Sequence, residues 1–275
     1  MWLELRLFLV ALNTLTRCPL PAWVGWQPAW RQQSLHHFPG VGLVVGAGAA
    51  LVLWLAGHAW PALVSVLTSI AFTLWLTQAR HESGWALVCT LRSQAGLDPA
   101  VVPRPGSGAV EGGSLPPTSP PALDTSAFLG LLLMVALKVA ALHGLVVRDL
   151  TVMLATLALA HSWSRCGMVL LLWWRRRGQG VPRDGVPAGA STSQPASAGI
   201  PVALLWAAIA AGMASLFVPA MALAVAAAAS VAVGVLLAQR LQSRPAGRAA
   251  SGLDALQQVC ELVVYLAVLA TLAQG

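Results

Sequence analysis

Seven apolar stretches occupy most of this 275-residue chain, and they limit its possible folds more than any other feature. Most are about 18–25 residues long, the length that an α-helix needs to cross roughly 30 Å of hydrocarbon. The stretches are Val41–Trp60, Pro61–Gln78, Ser126–Val147, Leu150–Trp174, Ile200–Val218, Pro219–Ala238 and Leu253–Leu272. We therefore predict an all-α, polytopic membrane helix bundle of about seven transmembrane helices.

The composition supports a membrane protein and argues against a nucleic-acid-binding one. Charged residues are 9% of the chain and hydrophobic residues are 57%, which is typical of membrane rather than soluble proteins. The net charge of +7 comes mostly from loop arginines, and no basic helix or aromatic-interleaved patch accompanies it. We expect the lipid bilayer as a partner and no nucleic acid. The four cysteines are scattered, so they predict neither a disulfide framework nor a zinc site.

The positions of the basic residues predict the orientation. Thirteen of the sixteen Lys and Arg residues lie in segments 1–40, 79–125, 175–200 and 239–252, which are alternate connections between the apolar stretches. Short basic loops remain on the cytoplasmic side of a membrane. We therefore predict a cytoplasmic N-terminus. Met1–Leu12 is too short to span and has no clear cleavage site, so we expect an interfacial helix rather than a signal peptide.

The chain shows no internal repeat and no soluble second domain, so residues 1–275 are expected to form a single integral-membrane domain. Two loops, 93–121 and 178–198, are rich in Pro, Gly and Ser. Such segments bury too little apolar surface to order themselves, and we predict that both are flexible. The pair Gly42 and Gly46 has the spacing that lets two helix backbones approach closely in a membrane.

Several polar residues lie where lipid-facing residues would be expected. Ionisable groups inside membrane spans are costly, and they usually face the bundle interior or a cavity. They are Lys138 in the third stretch, His161 and Arg165 in the fourth, and Asp254, Gln257, Gln258 and Glu261 in the last. The seven-residue separation of Asp254 and Glu261 places both carboxylates on one helical face. The cluster on the last stretch is either a functional site or a set of interhelical hydrogen bonds, with Asp254 as a favourable charge at the helix N-terminus. Lys138 alone is able to pair with a backbone carbonyl.

His81 and Glu82 are adjacent just after the second stretch. A His-Glu pair is able to ligate a metal ion or to move a proton. We predict these two residues as the catalytic pair of the chain.

Four segments give the chain a resemblance to a known family. They are Leu15–Pro21, similar to Leu-Thr-Arg-x-Pro-x-Pro; Ser34–Gly42, similar to Ser-x-x-x-Phe-Pro-x-x-Gly; Ser164-Arg165; and Gly247–Leu262, similar to a Thr-Gly-Asp-x-Leu-Gly-Ala segment with its following helix. In order and spacing they resemble the cobalamin synthase family, the adenosylcobinamide-GDP ribazoletransferases. The resemblance implies a multi-pass protein of the bacterial inner membrane that joins adenosylcobinamide-GDP to α-ribazole or its phosphate and releases GMP. It also implies a Mg²⁺ cofactor.

The chain departs from the family at its acidic hallmark. The family motif resembles Gly-Gly-x-His-x-Asp-Gly-Leu-Ala-Asp-Thr-x-Asp-Gly, which His81, Gly84 and Ala86 match. Neutral residues stand where four aspartates would be: Ser83, Leu87, Thr90 and Ser251. A hydroxyl oxygen coordinates Mg²⁺ but brings no negative charge, so the usual site cannot form as the family builds it.

Three interpretations follow from this mixture. The first is an active transferase with a rebuilt site, in which Glu82, Asp254 and Glu261 bind the metal and His81 is a base or orients the nucleophile. Its substrate-binding residues would be Arg17, Arg80, Arg165, Gln257 and Gln258, with the arginines holding phosphates. The second is a catalytically degenerate paralogue, a membrane scaffold that binds a corrinoid or a partner. The third is an unrelated channel or transporter. A homo- or hetero-oligomer is left open by the sequence.

Overall fold

The computed structural model describes residues 2–94, 124–178, 199–242 and 249–274, and within them every regular element is helical. The helices are α1 (Trp2–Leu15), α2 (Pro28–Gln33), α3 (Phe38–Gly57), α4 (Ala62–Thr77), α5 (Arg80–Gln94), α6 (Thr125–Arg148), α7 (Leu150–Gly178), α8 (Ile200–Ala214), α9 (Ala220–Gln242) and α10 (Ala249–Leu272). The predicted all-α class is confirmed. The two loops predicted to be flexible lie outside the described residues, apart from the few residues that end α5 and α7.

The lengths and compositions of these helices confirm a multi-pass membrane protein. Among the described residues, five helical segments are long and apolar enough to cross a bilayer: Pro28–Gly57, Thr125–Arg148, Leu150–Trp174, Ala220–Arg240 and Gly252–Leu272. Ala62–Thr77 with Arg80–Thr90 makes a sixth if this bent pair is one span, and Ile200–Ala214 is a shorter apolar helix. The count of seven spans, the cytoplasmic N-terminus and the single domain stay predictions.

The break between α4 and α5 directs the proposed catalytic pair into the bundle. Gln78 and Ala79 adopt left-handed backbone conformations, with φ of 59° and 49°. Such conformations are unfavourable for residues other than glycine, and they persist where the surrounding structure holds them. The chain turns by 87° at this point. As a result, α5 leaves the direction of α4 and packs against α10 and α6.

Two long helices, α7 and α10, form the centre of the bundle. α7 packs against α3, α8 and α10, and α10 packs against α5, α6, α7 and α9. Between them they hold the polar residues that the sequence singles out in the fourth and seventh stretches. The side chains of His161, Arg165, Gln257 and Glu261 are all buried. Both central helices thus carry a buried charged side chain, Arg165 on α7 and Glu261 on α10.

The close approach of α3 to α7 depends on two glycines. A Cβ atom on Gly46 would lie 2.7 Å from the Cα of Ala158, and one on Gly42 would overlap the backbone carbonyl of His161. Both obstacles are backbone atoms, which cannot rotate away as a side chain can. The expectation that Gly42 and Gly46 mark close helix packing is confirmed.

We expect Gly42→Ala to destabilise the protein by about 1–3 kcal/mol, because the added methyl group forces α3 away from α7. The thermal unfolding midpoint of detergent-purified protein measures this. Gly167→Ala is a matched control, since no atom lies within 4 Å of a Cβ placed there and alanine favours a helix. Equal midpoints for Gly42→Ala and Gly167→Ala would contradict the close-packing explanation.

Candidate functional site

A small polar cavity lies inside the bundle among α4, α5, α6, α7 and α10. Its volume is about 30 Å³, enough for a water molecule or a reacting oxygen but not for a nucleotide. The charged and strongly polar residues among its lining are His81, Glu82, Lys138, His161, Arg165, Gln257, Gln258, Glu261 and Tyr265. We call this cavity the polar chamber. Eight of the residues singled out from the sequence therefore meet at one place, together with Tyr265.

An ion pair between α6 and α10 crosses the chamber. Lys138 Nζ lies 2.8 Å from Glu261 Oε1 and also donates to Gln258 Oε1. His161 Nδ1 lies 3.3 Å from the other oxygen of Glu261, and the hydroxyl of Tyr265 donates to Oε1 over 3.2 Å. Lys138 thus pairs with side chains rather than with a backbone carbonyl. Both oxygens of Glu261 have partners, as a buried carboxylate requires.

His81 forms a second pair, with Asp254 at the start of α10. His81 Nδ1 lies 2.8 Å from Asp254 Oδ1. Because a carboxylate accepts hydrogen bonds, Nδ1 carries the proton and neutral His81 presents the lone pair of Nε2. That nitrogen is buried without a hydrogen-bond partner. Gly84 permits the contact, since a Cβ there would collide with the Cβ of Asp254.

Other chamber residues also have polar atoms without protein partners. Glu82 Oε1 accepts a hydrogen bond from Gln258 Nε2 at 2.8 Å, whereas its Oε2 has no partner. Arg165 is fully buried and donates through Nη1 to the carbonyl of His161, but its Nε has no partner. Neither amide atom of Gln257 has one either. Buried polar groups are normally satisfied, so this concentration around one cavity is typical of a place that receives a ligand.

Arg17 and Arg80 lie away from the chamber lining. Both are exposed. The backbone N–H of Arg17 donates to the carbonyl of Leu76 over 2.9 Å, and its guanidinium lies 5.9 Å from the ring centroid of Trp75. Arg80 begins α5, next to His81. The two arginines thus flank the α4–α5 bend at the protein surface, where a part of a substrate outside the chamber could meet them.

The predicted metal ligands do not converge. Glu261 is paired with Lys138 and His161, and Asp254 is paired with His81. Among the residues that the structure describes, the oxygens of Glu82, Asp254 and Glu261 do not form a group within 4.8 Å of one another. Oε2 of Glu82 is the one chamber carboxylate oxygen without a hydrogen-bond partner in the described part of the chain. A site with one carboxylate fits Mg²⁺, which is often held by one or two carboxylates together with substrate phosphates.

Three of the four hallmark positions that lack aspartate, Ser83, Leu87 and Thr90, are on α5, on a different face from His81 and Glu82. Ser83 and Leu87 are exposed, and neither they nor Thr90 are among the residues that line the chamber. The Ser83 hydroxyl donates to the carbonyl of Ala79 over 2.8 Å. The chamber carboxylates therefore do not occupy the space that aspartates at these positions would occupy.

A histidine cluster at the N-terminus escaped the sequence analysis. The distances from Glu4 Oε2 to Nε2 of His36 and to Nε2 of His37 are 3.2 Å and 3.0 Å. In the described ranges, these three residues are the one group of three possible ligands with metal-binding geometry. Trp206 Nε1 donates to Nδ1 of His37 over 3.1 Å. Because the indole nitrogen only donates, neutral His37 carries its proton on Nε2 and directs it at Glu4. The two hydrogen bonds of His37 therefore connect α1 and α8 at the start of α3.

The same cluster determines the ionisation of Glu4. Partial burial raises the pKa of Glu4, but the hydrogen bonds and electrostatic attraction of the His36 and His37 ring N–H groups outweigh that effect. The pKa of the carboxyl is therefore held below its ordinary value. Adjacent histidines before the Phe38-Pro39 start of α3 were the sequence signal, but nothing in the sequence indicated their contact with Glu4.

Three of the charged and strongly polar residues of the chamber, Lys138, His161 and Tyr265, were not included in the predicted site. Tyr265 lies four residues after Glu261, on the same helical face, and its hydroxyl reaches that carboxylate. Lys138 was noticed, but its partners on α10 are 120 and 123 residues away in the chain. The spacing of four residues between Glu261 and Tyr265 was the sequence signal that could have identified Tyr265. No local pattern could have paired Lys138 with Glu261.

The fold and the chamber define a multi-pass membrane protein with a polar site enclosed by its helices. A family model described as Cobalamin-5-phosphate synthase matches residues 7–89 and 123–269. The chain belongs to this family. No solved structure gives a significant match.

Curated relatives match along almost the full chain. One from Leptothrix cholodnii is 38% identical over 268 residues, which are 97% of this chain and 96% of the relative. One from Polaromonas sp. JS666 is 32% identical over 279 residues, covering 95% of each chain. One from Shewanella sp. ANA-3 is 30% identical over 268 residues, covering 97% and 94%. All three are named adenosylcobinamide-GDP ribazoletransferase.

We expect Lys138→Met to destabilise the protein by about 3–5 kcal/mol, because it leaves the buried Glu261 carboxylate without its lysine partner. A denaturant titration of the purified protein measures the free energy of unfolding. Adding Glu261→Met to Lys138→Met should recover much of the loss, since the uncompensated charge is removed. Leu137→Met is the control at the neighbouring, exposed position. Additive losses in the double variant would show that the two groups do not interact.

Proposed function

We propose that this chain is an adenosylcobinamide-GDP ribazoletransferase. It joins adenosylcobinamide-GDP to α-ribazole or its phosphate, giving the completed cobamide and GMP. The observation that carries the proposal is the match over more than nine-tenths of the chain to relatives with this name. The arrangement in the chamber supports it, because an unpartnered histidine nitrogen and a buried guanidinium suit a hydroxyl that attacks a phosphoryl group. We place the protein in the bacterial inner membrane with its N-terminus on the cytoplasmic side.

The reaction needs a base for the attacking hydroxyl group. A ribose oxygen of α-ribazole forms a bond to the phosphorus that carries the cobinamide, and the bond between that phosphorus and the oxygen of GMP breaks. We assign the hydroxyl proton to Nε2 of His81, which is buried and has no protein partner. Asp254 positions the imidazole and stabilises its protonated form through Nδ1. The proton later passes to solvent or to the departing phosphate.

The negative charge that develops on the phosphoryl oxygens during transfer needs hydrogen-bond donors. Arg165 has an unpartnered Nε at the chamber, and Gln257 has an unpartnered amide nitrogen. We propose that both donate to phosphoryl oxygens, since a buried guanidinium recognises phosphate well. The chamber of about 30 Å³ admits the reacting oxygens, so the corrinoid and nucleoside parts of the substrates lie outside it. Arg17 and Arg80 are available to phosphates on that outer side.

We propose that Glu82 holds Mg²⁺ through Oε2, together with substrate phosphates and water. When bound, the ion neutralises charge on the transferred phosphoryl group. Lys138 and His161 are partners of Glu261, and His81 is the partner of Asp254, so these two carboxylates already pair with side chains of the protein. Of the predicted ligands, Glu82 is therefore retained in this proposal, and Asp254 and Glu261 receive positioning roles.

The degenerate-paralogue interpretation is not favoured. It rests on the neutral residues at the hallmark positions, yet relatives with the transferase name match the chain almost throughout. The unpartnered atoms of His81, Glu82, Arg165 and Gln257 also argue against it, because a scaffold without chemistry gains nothing from buried, unsatisfied polar groups. A channel is no better supported, since Lys138 is neutralised by Glu261.

We expect His81→Ala to lower the rate of cobamide formation by about 10²–10⁴-fold, because the hydroxyl loses its base. Asp254→Asn should lower it less, since the imidazole remains. The measurement is GMP release and cobamide formation by reconstituted protein given adenosylcobinamide-GDP, α-ribazole and Mg²⁺. His58→Ala is the matched control, because His58 is exposed and its Nδ1 bonds only the carbonyl of Trp54, one turn earlier.

Two outcomes would count against these assignments. An unchanged rate of cobamide formation in His81→Ala would show that His81 is not the base. Recovery of activity in this variant on addition of imidazole would support the assignment. No product from the unchanged protein, with the relative from Leptothrix cholodnii active in the same membranes, would sink the proposed activity itself.

Activity should disappear when a chelator removes divalent ions and return with added Mg²⁺. We expect Glu82→Gln to raise the Mg²⁺ concentration at half-maximal rate by about tenfold or more, because the isosteric amide has no negative charge for the ion. Asp254→Asn and Glu261→Gln should change the maximal rate or the stability without this shift. An unchanged Mg²⁺ dependence in Glu82→Gln would exclude Glu82 as a ligand.

A further inference from the structure

A second cavity lies between the ends of the chain's last four helices, on the side of α7 and α10 that faces away from the polar chamber. Its volume is about 730 Å³, within the range of roughly 300–1,000 Å³ that small-ligand pockets occupy. Its lining residues are Trp163, Cys166, Gly167, Leu170, Leu171, Trp174, Leu204, Ala207, Ala208, Ser230, Val231, Gly234, Val235, Ala238, Gln239, Leu256 and Cys260. We call it the apolar groove.

The groove exists because the hairpin of α8 and α9 is splayed. α8 packs on α7 and α3, whereas α9 packs on α10, so the two helices diverge from the turn that joins them. Small residues widen the space further. No atom lies within 4 Å of a Cβ placed on Gly167, and one on Gly234 would make only an ordinary contact, 3.4 Å from Cys260 Sγ. The sides are apolar and partly exposed, including Leu204, Val231 and Val235.

The two ends of the groove differ. At one end, Trp163 Nε1 on α7 donates to Ser230 Oγ on α9 over 2.8 Å and closes the space between these helices. At the other end lie Trp174 and Gln239, both exposed. In the sequence, three consecutive arginines, 175–177, follow Trp174, and Arg240 follows Gln239. The groove is thus apolar along its length, and basic residues follow in the sequence both residues that mark its open end.

We propose that the apolar groove binds an acyl chain of an anionic phospholipid, with the headgroup at the end marked by Trp174 and Gln239. Three of the helices that line the groove are of membrane-spanning length and composition and the fourth, α8, is a shorter apolar helix, so we expect hydrocarbon rather than water around it. An empty groove of this size would deprive its walls of dispersion contacts, which an acyl chain restores. Anionic headgroups are attracted to clustered arginines beside a span, and tryptophan favours the same interfacial depth.

The position of the groove gives the bound lipid a structural task. On α7, Arg165 lines the polar chamber and the next residue, Cys166, lines the groove. On α10, Glu261 lines the chamber and the preceding residue, Cys260, lines the groove. The acyl chain therefore packs on the outer side of the two helices that hold the chamber together. This inference concerns lipid binding and does not depend on the proposed reaction.

The test places the full-length protein in phosphatidylcholine vesicles that contain phosphatidylglycerol with a photoreactive diazirine on its acyl chain. After irradiation, mass spectrometry locates the labelled peptides. We expect adducts on the groove-facing segments of α7 and α9. The double variant Gly167→Leu with Gly234→Leu fills the groove and should lose these adducts. Gly212→Leu is the matched control, because it adds the same side chain at an exposed α8 position outside the groove, with no atom within 4 Å.

Several results would overturn the proposal. Unchanged labelling in the filled double variant would show that the lipid does not occupy the groove. Equal labelling by phosphatidylcholine with the same diazirine chain would show that the groove has no preference for an anionic headgroup. Groove peptides cross-linked to a second copy of the chain, in place of lipid, would make the groove a protein interface. If the double variant fails to elute as a folded species, Gly167→Leu alone serves the same comparison. No substrate is added, so failure here leaves the proposed transferase activity unaffected.

Discussion

The ion pair between Lys138 and Glu261 is the interaction on which the site depends. A lone charge in a membrane span is costly, and either residue alone would be unfavourable in the bundle. Together they connect α6 to α10, and Glu261 also engages His161 on α7 and Tyr265. One carboxylate thus holds three helices around the same small cavity. Both of its oxygens have partners, and we propose that its role is to organise the chamber.

The remaining chamber groups follow from this framework. With α10 fixed against α6 and α7, its first turns lie beside α5, where Gly84 allows Asp254 to reach His81. The strained bend at Gln78 and Ala79 brings α5 into that position. The strain is located next to the proposed base, as backbone strain often is at functional sites. A rigid cluster of paired charges therefore surrounds a few polar atoms that have no protein partner, and a substrate can supply what they lack.

The family's acidic hallmark and this chamber are separate features of α5. Ser83 and Leu87 face outward, whereas His81 and Glu82 line the cavity. A change of about 100° around the helix axis per residue is enough to separate them. The loss of aspartates at the outward positions therefore does not by itself dismantle the chamber. It is consistent with full-length similarity to named transferases in a chain that lacks those acids.

The amino-acid sequence is enough to predict an all-helical, multi-pass chain, because apolar runs of spanning length cross a bilayer as helices. It also identified His81, Glu82, Arg165, Gln257, Gln258 and Glu261, since polar residues in such runs stand out. Which of these side chains contact one another is determined by the packing of the helices in the tertiary structure. This packing separated Arg17 and Arg80 from the chamber, paired Asp254 with His81 and Glu261 with Lys138, and opened a groove beside α9. These outcomes depend on how helices far apart in sequence pack, and hydrophobic periodicity contains no information about that.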